Sequence, residues 1–269
     1  MTKRVQRRPA LGLVLLLVLS WLAWNRWGRR PPPPAPAAAV PTTPVVAVPA
    51  YRLAIVLDDW GYQKKPLDTL GQMPGPLTLS VIPRLAYSQL VAERGAAIGE
   101  EIILHYPMQA QHGGHPEPGM LKPGMDALQV RSDLEQAFLT VPGAVGLNNH
   151  EGSLATEDRK LMDEVAAVLK DRDAYFLDSV TTPHSAIPAA AKAAGIPWAA
   201  RRVFLDDVNQ VPAILNQLKQ AVDLTRRNGH CIAIGHPRPA TLKALLQALP
   251  GLKEQGIQLV KVSDLLQRP

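Results

Sequence analysis

The sequence predicts an α/β protein whose main domain is a single distorted barrel of seven or eight β/α units. Short runs of aliphatic residues alternate with segments of helical length across residues 51–269. Strict alternation of strands and helices implies a parallel sheet covered by helices. So many units in about 215 residues fit a closed barrel better than an open sheet. The chain has neither a GxGxxG nor a Walker-type loop, so nucleotide-binding folds lose support.

Hydrophobic periodicity and turn residues set the expected boundaries of the elements. The expected strands are Leu53–Leu57, Thr78–Ile82, Glu101–His105, Ala144–Asn148, Ala174–Leu177, Ala200–Leu205, Cys231–Gly235 and Gln258–Val262. The expected helices are Pro66–Gln72, Ser88–Gly95, Ala127–Val141, Thr156–Lys170, Ile187–Ala194, Val211–Asn228 and Ala240–Gln247. Asp126 and Thr156 are the predicted N-caps of two of these helices, because short polar side chains there satisfy free backbone N–H groups.

Residues 1–30 are expected to form a signal anchor. Basic residues from Lys3 to Arg8 precede the apolar stretch Leu11–Trp24, which is short for a spanning helix and suits a signal-peptide core. No small-residue cleavage site follows directly, so an uncleaved anchor is favoured over a cleaved signal peptide. Residues 31–50, rich in proline and alanine, predict an extended linker. The expected location is therefore the cell envelope or periplasm, with the chain anchored to the cytoplasmic membrane by this N-terminal hydrophobic helix.

The charge distribution argues against a nucleic-acid partner. The net charge of the chain is +6, but residues 1–30 hold seven basic residues and no acidic one. The rest of the chain therefore has a net charge of −1 and presents no general field for phosphate backbones. The single cysteine, Cys231, lies in an apolar run and is interpreted as a buried hydrophobic residue.

Polar residues follow the predicted strands at their carboxyl ends. In a β/α barrel all of these ends meet on one face, where active sites are built. Aspartate and histidine are ligands that zinc and similar divalent ions bind, so the sequence predicts a metal site there. Any one of these aspartates or asparagines could instead be a turn former. The residues are Asp58, Asp59, His105, Asn148, Asn149, His150, Asp178, Asp206, Asp207 and His236.

Several motifs resemble those of the divergent polysaccharide deacetylase family, which is related to the NodB-type carbohydrate esterases. They span the predicted barrel in order: Ile55–Gly61 (IVLDDWG), Leu104–Met108 (LHYPM), Pro142–Ser153 (PGAVGLNNHEGS), Tyr175–Ser179 (YFLDS), Val203–Asp207 (VFLDD) and Ile232–Thr241 (IAIGHPRPAT). The resemblance implies a distorted barrel of the NodB type. It also implies metal-assisted hydrolysis of an N- or O-acetyl group, with an acetylated polysaccharide of the envelope as the expected partner.

The resemblance implies a ligand set for the metal. The second Asp of the pair, Asp59, and His105 match the NodB pattern, but Gln109 stands where that pattern has a second histidine. We expect His150 to supply the third ligand to a divalent ion, with zinc preferred. Glu151 occupies a position where relatives usually have methionine, and it could add a ligand, contact the substrate or point away.

The charges around such a metal suggest roles for the other polar residues. Asp58 is expected to accept a proton from the attacking water, and His236 to protonate the leaving amine or alkoxide. Asp178 is expected to orient His236. The expected substrate contacts are Asn148, Asn149, Asp206 and Arg238. His184 is expected on the same face, where it could contact the substrate. His112 and His115 lie in a loop rich in glycine and proline and could be accessory ligands, although solvation is the favoured interpretation.

Two other functions are compatible with the sequence. The missing histidine of the second motif would suit a catalytically degenerate glycan-binding or scaffold protein, although the chain retains Asp58 and His236. A metal-dependent phosphoesterase on a similar barrel would require more positive charge at the mouth of the barrel than Arg202 and Arg238 provide.

Overall fold

The structure, a computed structural model, describes residues 51–114 and 119–268. Nine strands alternate with seven α-helices in this part of the chain. The strands are β1 (Tyr51–Trp60), β2 (Thr78–Val81), β3 (Glu101–Met108), β4 (Gly146–Glu151), β5 (Tyr175–Asp178), β6 (Trp198–Ala200), β7 (Val203–Phe204), β8 (His230–Gly235) and β9 (Ile257–Val260). The helices are α1 (Leu67–Leu70), α2 (Ser88–Ala97), α3 (Ala127–Thr140), α4 (Arg159–Asp171), α5 (Ile187–Ala194), α6 (Val211–Asn228) and α7 (Pro239–Ala248).

All strand pairs in the sheet are parallel, which confirms the predicted barrel class. The order is β6-β5-β4-β3-β2-β1-β8-β7, and β9 pairs with the first half of β1. The sheet curls, but within the described residues no ladder joins β6 to β7. The C-terminal segment lies beside this opening, where Gln267 pairs with Trp198 in an antiparallel bridge. The barrel is therefore distorted and open on one side.

Alternation along the strands divides the core into an outer and an inner layer. Leu53, Ile55 and Leu57 of β1 pack in the large cluster that includes the covering helices. Ala54 and Val56 pack in a smaller cluster inside the barrel, together with Ile232 and Ile234 of β8 and others. Because side chains alternate with a period of two, the next inward residues after these are Asp58 and His236.

The predicted strand Ala200–Leu205 is wrong, because it is divided into β6 and β7. The two short strands pair with different neighbours, β6 with β5 and β7 with β8. The break falls at Arg201, whose guanidinium donates to the carbonyl oxygens of Ser179 (2.6 Å) and Val180 (2.7 Å). The backbone N–H of Arg201 donates to Asp178 of β5, whereas that of Arg202 donates to Ile232 of β8, so the chain changes its partner strand between these two residues.

One of the two predicted N-caps is confirmed. Asp126 caps α3 and forms a capping box with Gln129. Thr156 is not a cap, because it lies in a short 3₁₀ turn (Ala155–Glu157) and its hydroxyl donates to the carbonyl oxygen of Gly152. Asp158 caps α4 instead, accepting a hydrogen bond from the backbone N–H of Leu161.

The predicted signal anchor (residues 1–30) and linker (residues 31–50) lie outside the described residues. Within the described part of the chain, none of the helices has the length and apolar character needed to span a bilayer.

Glu100, at the end of the barrel away from the predicted site, makes stability depend on pH. Its carboxylate accepts a hydrogen bond from the backbone N–H of Leu77 and is 8% exposed. Burial raises the pKa of Glu100 to about 7, although Leu77 and Lys261 act in the opposite direction. The unfolded chain loses this proton near its usual pKa of 4.5, whereas the folded chain keeps it until about 7. Stability should therefore fall as pH rises between these values.

Glu100→Gln is expected to stabilise the protein at pH 8 by about 1–3 kcal/mol and to change little at pH 4. Glutamine retains the acceptor for Leu77 and removes the buried charge. Urea unfolding at both pH values measures the difference, with the exposed Glu254→Gln as the matched control. An equal loss of stability between pH 4 and pH 8 in parent and Glu100→Gln would show that Glu100 is not responsible.

Candidate metal centre and active site

Asp58 and Asp59 both lie at the mouth of the barrel because β1 is irregular at its end. In a regular strand the second residue of the pair would face the outer layer. The register of β1 against β2 shifts between Leu57 and Trp60, and Asp59 has a φ of 61°. A positive φ is costly for a residue other than glycine and often marks a functional site. The irregularity brings the second carboxylate alongside the first.

Three possible ligand atoms converge at this point. Asp59 Oδ1 lies 3.3 Å from His105 Nε2 and 3.0 Å from His150 Nδ1, and the two ring nitrogens are 3.2 Å apart. Ligands bound to one tetrahedral ion at about 2.0–2.1 Å lie about 3.3–3.4 Å from one another. Asp59 Oδ1 is buried and receives no hydrogen bond of acceptable geometry. A carboxylate and two imidazoles in this triangle fit a divalent ion.

The charge state of Asp59 also suits a ligand. Burial would raise the pKa of its carboxyl, but the imidazoles of His105 and His150 outweigh burial and lower it well below the usual range. The carboxylate is therefore ionised at neutral pH. His105 is almost completely buried, whereas the side chains of Asp59 and His150 are 28% and 18% exposed. The cluster is thus open to solvent on one side.

Asp58 lies behind the three-atom cluster and is deeply buried. Its Oδ2 is 3.7 Å from His105 Nε2, and its Oδ1 accepts a hydrogen bond from Asn148 Nδ2 at 3.0 Å. Burial raises the pKa of Asp58 more than the neighbouring His105 lowers it. A carboxylate with a raised pKa is a suitable proton acceptor near neutral pH.

His236 lies on the other side of Asp59, and Asp206 orients it. His236 Nε2 is 3.5 Å from Asp59 Oδ2, and its Nδ1 is 2.8 Å from Asp206 Oδ1. The other oxygen of Asp206 accepts hydrogen bonds from the backbone N–H of His236 (2.8 Å) and from Thr241 Oγ1 (2.7 Å). Burial would lower the pKa of His236, but Asp206 and the charge of Asp59 raise it.

The predicted contact between Asp178 and His236 is wrong. Asp178 follows Phe176, whose side chain packs in the outer layer, so the strand alternation directs Asp178 away from the barrel interior. Its carboxylate accepts a hydrogen bond from the backbone N–H of Val180 at 2.7 Å. Asp178 therefore stabilises a turn, where Val180 has a positive φ of 51°.

Three of the four residues predicted to contact the substrate are too deeply buried to do so. Asn148 and Asp206 are 0% exposed, and Asn149 is 1% exposed. Asn149 accepts a hydrogen bond from the N–H of Ser179 and donates to the carbonyl oxygen of Glu151 and to Thr181. These residues support the site from below rather than face a ligand. Arg238 is only partly buried and donates to the carbonyl oxygen of Asp206 at 3.1 Å, so its substrate contact stays a prediction.

Within the described residues, no other histidine joins the three-atom cluster. His112 and His184 are exposed, His230 is at the opposite end of β8, and His115 lies outside the described residues. Glu151 is not one of the converging ligands either. Its carboxylate lies against Gly114, where an added Cβ would come within 2.6 Å of Glu151 Oε2.

Arg201 is the residue of the site that sequence reasoning missed. Its side chain bonds to the loop after β5 and lies 5.0 Å from the ring centre of Phe204, which packs edge-on against His236 at 5.6 Å. Arg201 falls inside a predicted strand, so neither its position nor its sequence neighbours identify it as a site residue. It adds a positive charge near Asp58 and Asp178.

The fold and the site define a deacetylase-like barrel with a potential metal centre at its mouth. The family model for divergent polysaccharide deacetylases matches residues 55–266, and the chain belongs to this family. The chain is 38% identical to the uncharacterized protein YibQ of Escherichia coli K12 over 222 residues, which cover 82% of this chain and 69% of YibQ.

Solved structures share the fold. The uncharacterized protein ATU2773 of Agrobacterium tumefaciens C58 superposes with a TM-score of 0.77 at 24% identity, covering 82% of this chain and 92% of that protein. A family 4 acetyl xylan esterase from Clostridium thermocellum, in complex with a cobalt ion, has a TM-score of 0.50 at 15% identity. That match covers 80% of this chain and 89% of the esterase.

Proposed function

We propose that the protein is a metal-dependent hydrolase that removes acetyl groups from a polysaccharide of the cell envelope. The observation that carries this proposal is the triangle of Asp59 Oδ1, His105 Nε2 and His150 Nδ1, with atoms 3.0–3.3 Å apart. Family membership and the cobalt-bound acetyl xylan esterase of similar fold support it. Two imidazoles and one carboxylate favour zinc, with other divalent ions as alternatives.

The proposed chemistry uses groups on both sides of this triangle. A divalent ion held by the three ligands would polarise the acetyl carbonyl and increase the acidity of a water molecule. Asp58 accepts a proton from this water while the water oxygen attacks the carbonyl carbon. His236 donates a proton to the leaving nitrogen or oxygen as the bond to the acetyl carbon breaks. Acetate and the deacetylated sugar are the products.

Neighbouring side chains position Asp58 and His236. Asn148 holds Asp58 through a hydrogen bond, and Asp206 favours the protonated form of His236. Asp59 Oδ1 faces the two ligand histidines, whereas Oδ2 faces His236. The proton acceptor and the proton donor thus lie around the same carboxylate, as hydrolysis at one bound acetyl group requires.

Acetate release from acetylated glycans tests the proposal. The full chain is assayed on N-acetylglucosamine oligomers and on O-acetylated glycans, before and after removal of metal by a chelator, and again with zinc or cobalt restored. We expect release that disappears with the metal and returns with it. Release that survives complete metal removal would contradict the mechanism. Glycan binding without release by the metal-loaded protein would favour the non-catalytic alternative.

We also propose that residues 1–30 anchor the protein to the cytoplasmic membrane, with the barrel on the envelope side. The support is the basic and apolar pattern of this segment and the proline-rich linker after it. Cell fractionation compares the full chain with a chain that lacks residues 1–30. We expect the full chain in the membrane fraction, and recovery of it in the soluble fraction would contradict the anchor.

A further inference from the structure

Asn148 connects the proposed proton acceptor to a proposed metal ligand. Its amide is fully buried and makes four hydrogen bonds inside the barrel. The oxygen Oδ1 lies 2.8 Å from His105 Nδ1 and accepts a hydrogen bond from Ser80 Oγ. The nitrogen Nδ2 donates to Asp58 Oδ1 at 3.0 Å and to Ser179 Oγ at 3.1 Å. All the hydrogen-bonding capacity of this amide is therefore used.

Ser179 fixes which end of the amide faces which neighbour. The single hydroxyl proton of Ser179 is directed at the carbonyl oxygen of Asn149, 2.9 Å away, and a carbonyl can only accept. Ser179 Oγ must therefore accept its second hydrogen bond, so the amide nitrogen of Asn148 points at it. An ionised Asp58 also requires a donor, in agreement with this orientation. The amide oxygen then faces His105.

This orientation determines where the proton of His105 lies. An amide oxygen cannot donate, so the ring nitrogen 2.8 Å away, Nδ1, must carry hydrogen. In the neutral imidazole Nε2 is then unprotonated, and this is the atom 3.3 Å from Asp59 Oδ1. Hydrogen bonding to the second ring nitrogen is the usual way in which proteins orient a metal-binding histidine.

We propose that Asn148 is a positioning residue that holds His105 in the Nδ1–H tautomer, with Nε2 free to bind the metal, and holds Asp58 through the same amide. The inference rests on the proposed function for the roles of His105 and Asp58. It assigns to one buried side chain the alignment of the metal ligand with the proton acceptor. A shift of this amide would disturb both.

Asn149 is a matched control for Asn148. The two asparagines are adjacent and equally buried, and both make several hydrogen bonds. Asn149 bonds to the backbone of Ser179 and Glu151 and to Thr181, and none of its hydrogen bonds reaches Asp58 or His105. Replacing either asparagine with alanine should lower the thermal midpoint, because each leaves buried groups unsatisfied. An effect specific to the alignment should appear only with Asn148→Ala.

The test combines zinc affinity with the NMR spectrum of the imidazoles, using the full chain. Competition with a chelating dye should show about 10–100-fold weaker zinc binding for Asn148→Ala, as expected for loss of a group that orients a ligand. Asn149→Ala should bind zinc much more tightly than Asn148→Ala. In the zinc-loaded parent, ¹⁵N-edited spectra should show a protonated Nδ1 for His105, assigned from the signal that His105→Gln removes.

Neither measurement depends on turnover, so the proposal can be judged even if no acetylated substrate is found. Equal zinc affinity in the parent and Asn148→Ala, or a His105 that is protonated at Nε2, would overturn it. If the parent does not bind zinc, the proposed metal-dependent function is contradicted. The tautomer of His105 is then measured in the metal-free protein at alkaline pH. A protonated Nε2 on a neutral His105 would overturn the inference there as well.

Discussion

Asp58→Asn is expected to lower kcat by about 10²–10⁴-fold while leaving the metal bound, since this is the usual contribution of a general base. The carboxylate of Asp58 is the proposed proton acceptor and is not one of the three converging ligand atoms. Asparagine has nearly the same size, so the buried position is retained. The asparagine amide cannot take up the proton of the attacking water.

The neighbouring Asp59→Asn separates the roles of the two carboxylates. It should reduce both metal content and turnover, because Asp59 Oδ1 is part of the triangle with His105 and His150. Metal analysis and steady-state acetate release on the same preparations measure the difference. Loss of metal in Asp58→Asn, or a kcat within a factor of about three of the parent, would contradict the assignment of Asp58 as the base.

Asp206→Asn is expected to lower kcat by about 10²–10⁴-fold, again with the metal retained. The Asp206 carboxylate accepts a hydrogen bond from His236 Nδ1 at 2.8 Å and stabilises the imidazolium form. Without this charge, His236 holds its proton less strongly and its ring is less firmly oriented. Protonation of the leaving group should then limit the reaction.

Asp178→Asn is the matched control for Asp206→Asn. Both aspartates are buried at the ends of barrel strands, but Asp178 bonds to the following turn rather than to His236. The control should lose less than about tenfold in kcat, together with some stability from the altered turn. If the two variants lost activity equally, orientation of His236 by Asp206 would be refuted.

The fold could be predicted because its signals are local. Runs of apolar residues between helical segments define the parallel barrel, and family motifs lie at the strand ends in order. The failure at β6 and β7 falls where the chain changes its partner strand from β5 to β8, next to Arg201, whose guanidinium bonds to the loop after β5. That partner is about twenty residues away in sequence, and no periodicity indicates it.

The site residues can be predicted from their position at the strand ends. The errors in that prediction arise because it takes no account of the direction in which each side chain points. Asp178 and Asp206 both end predicted strands, but Asp178 continues the outward phase of Phe176, whereas Asp206 continues the inward phase of Phe204. Counting residues in steps of two from the buried strand residues would have chosen Asp206. The same count predicts that Asn148 faces inward. It does not predict that Asn148 contacts both Asp58 and His105.

Asp59 could not have been placed by this count. Regular alternation directs it outward, and only the irregular end of β1, with its positive φ, turns it toward His105. Its match to the NodB pattern was therefore a better guide than periodicity. His150, in contrast, follows Asn148 in phase, and the structure brings its ring nitrogen beside Asp59 and His105.

Metal content of the full chain and of His150→Ala tests the central claim most directly. His150 is the ligand that departs from the NodB pattern, and its Nδ1 lies 3.0 Å from Asp59 Oδ1. Exposed His184→Ala is the matched control, because it removes a histidine on the same side of the barrel without touching the cluster. We predict about one divalent ion per chain in the parent and in His184→Ala, and loss of most of it in His150→Ala. A parent that takes up no zinc or cobalt, or a His150→Ala variant that binds it as tightly as the parent, would contradict this account.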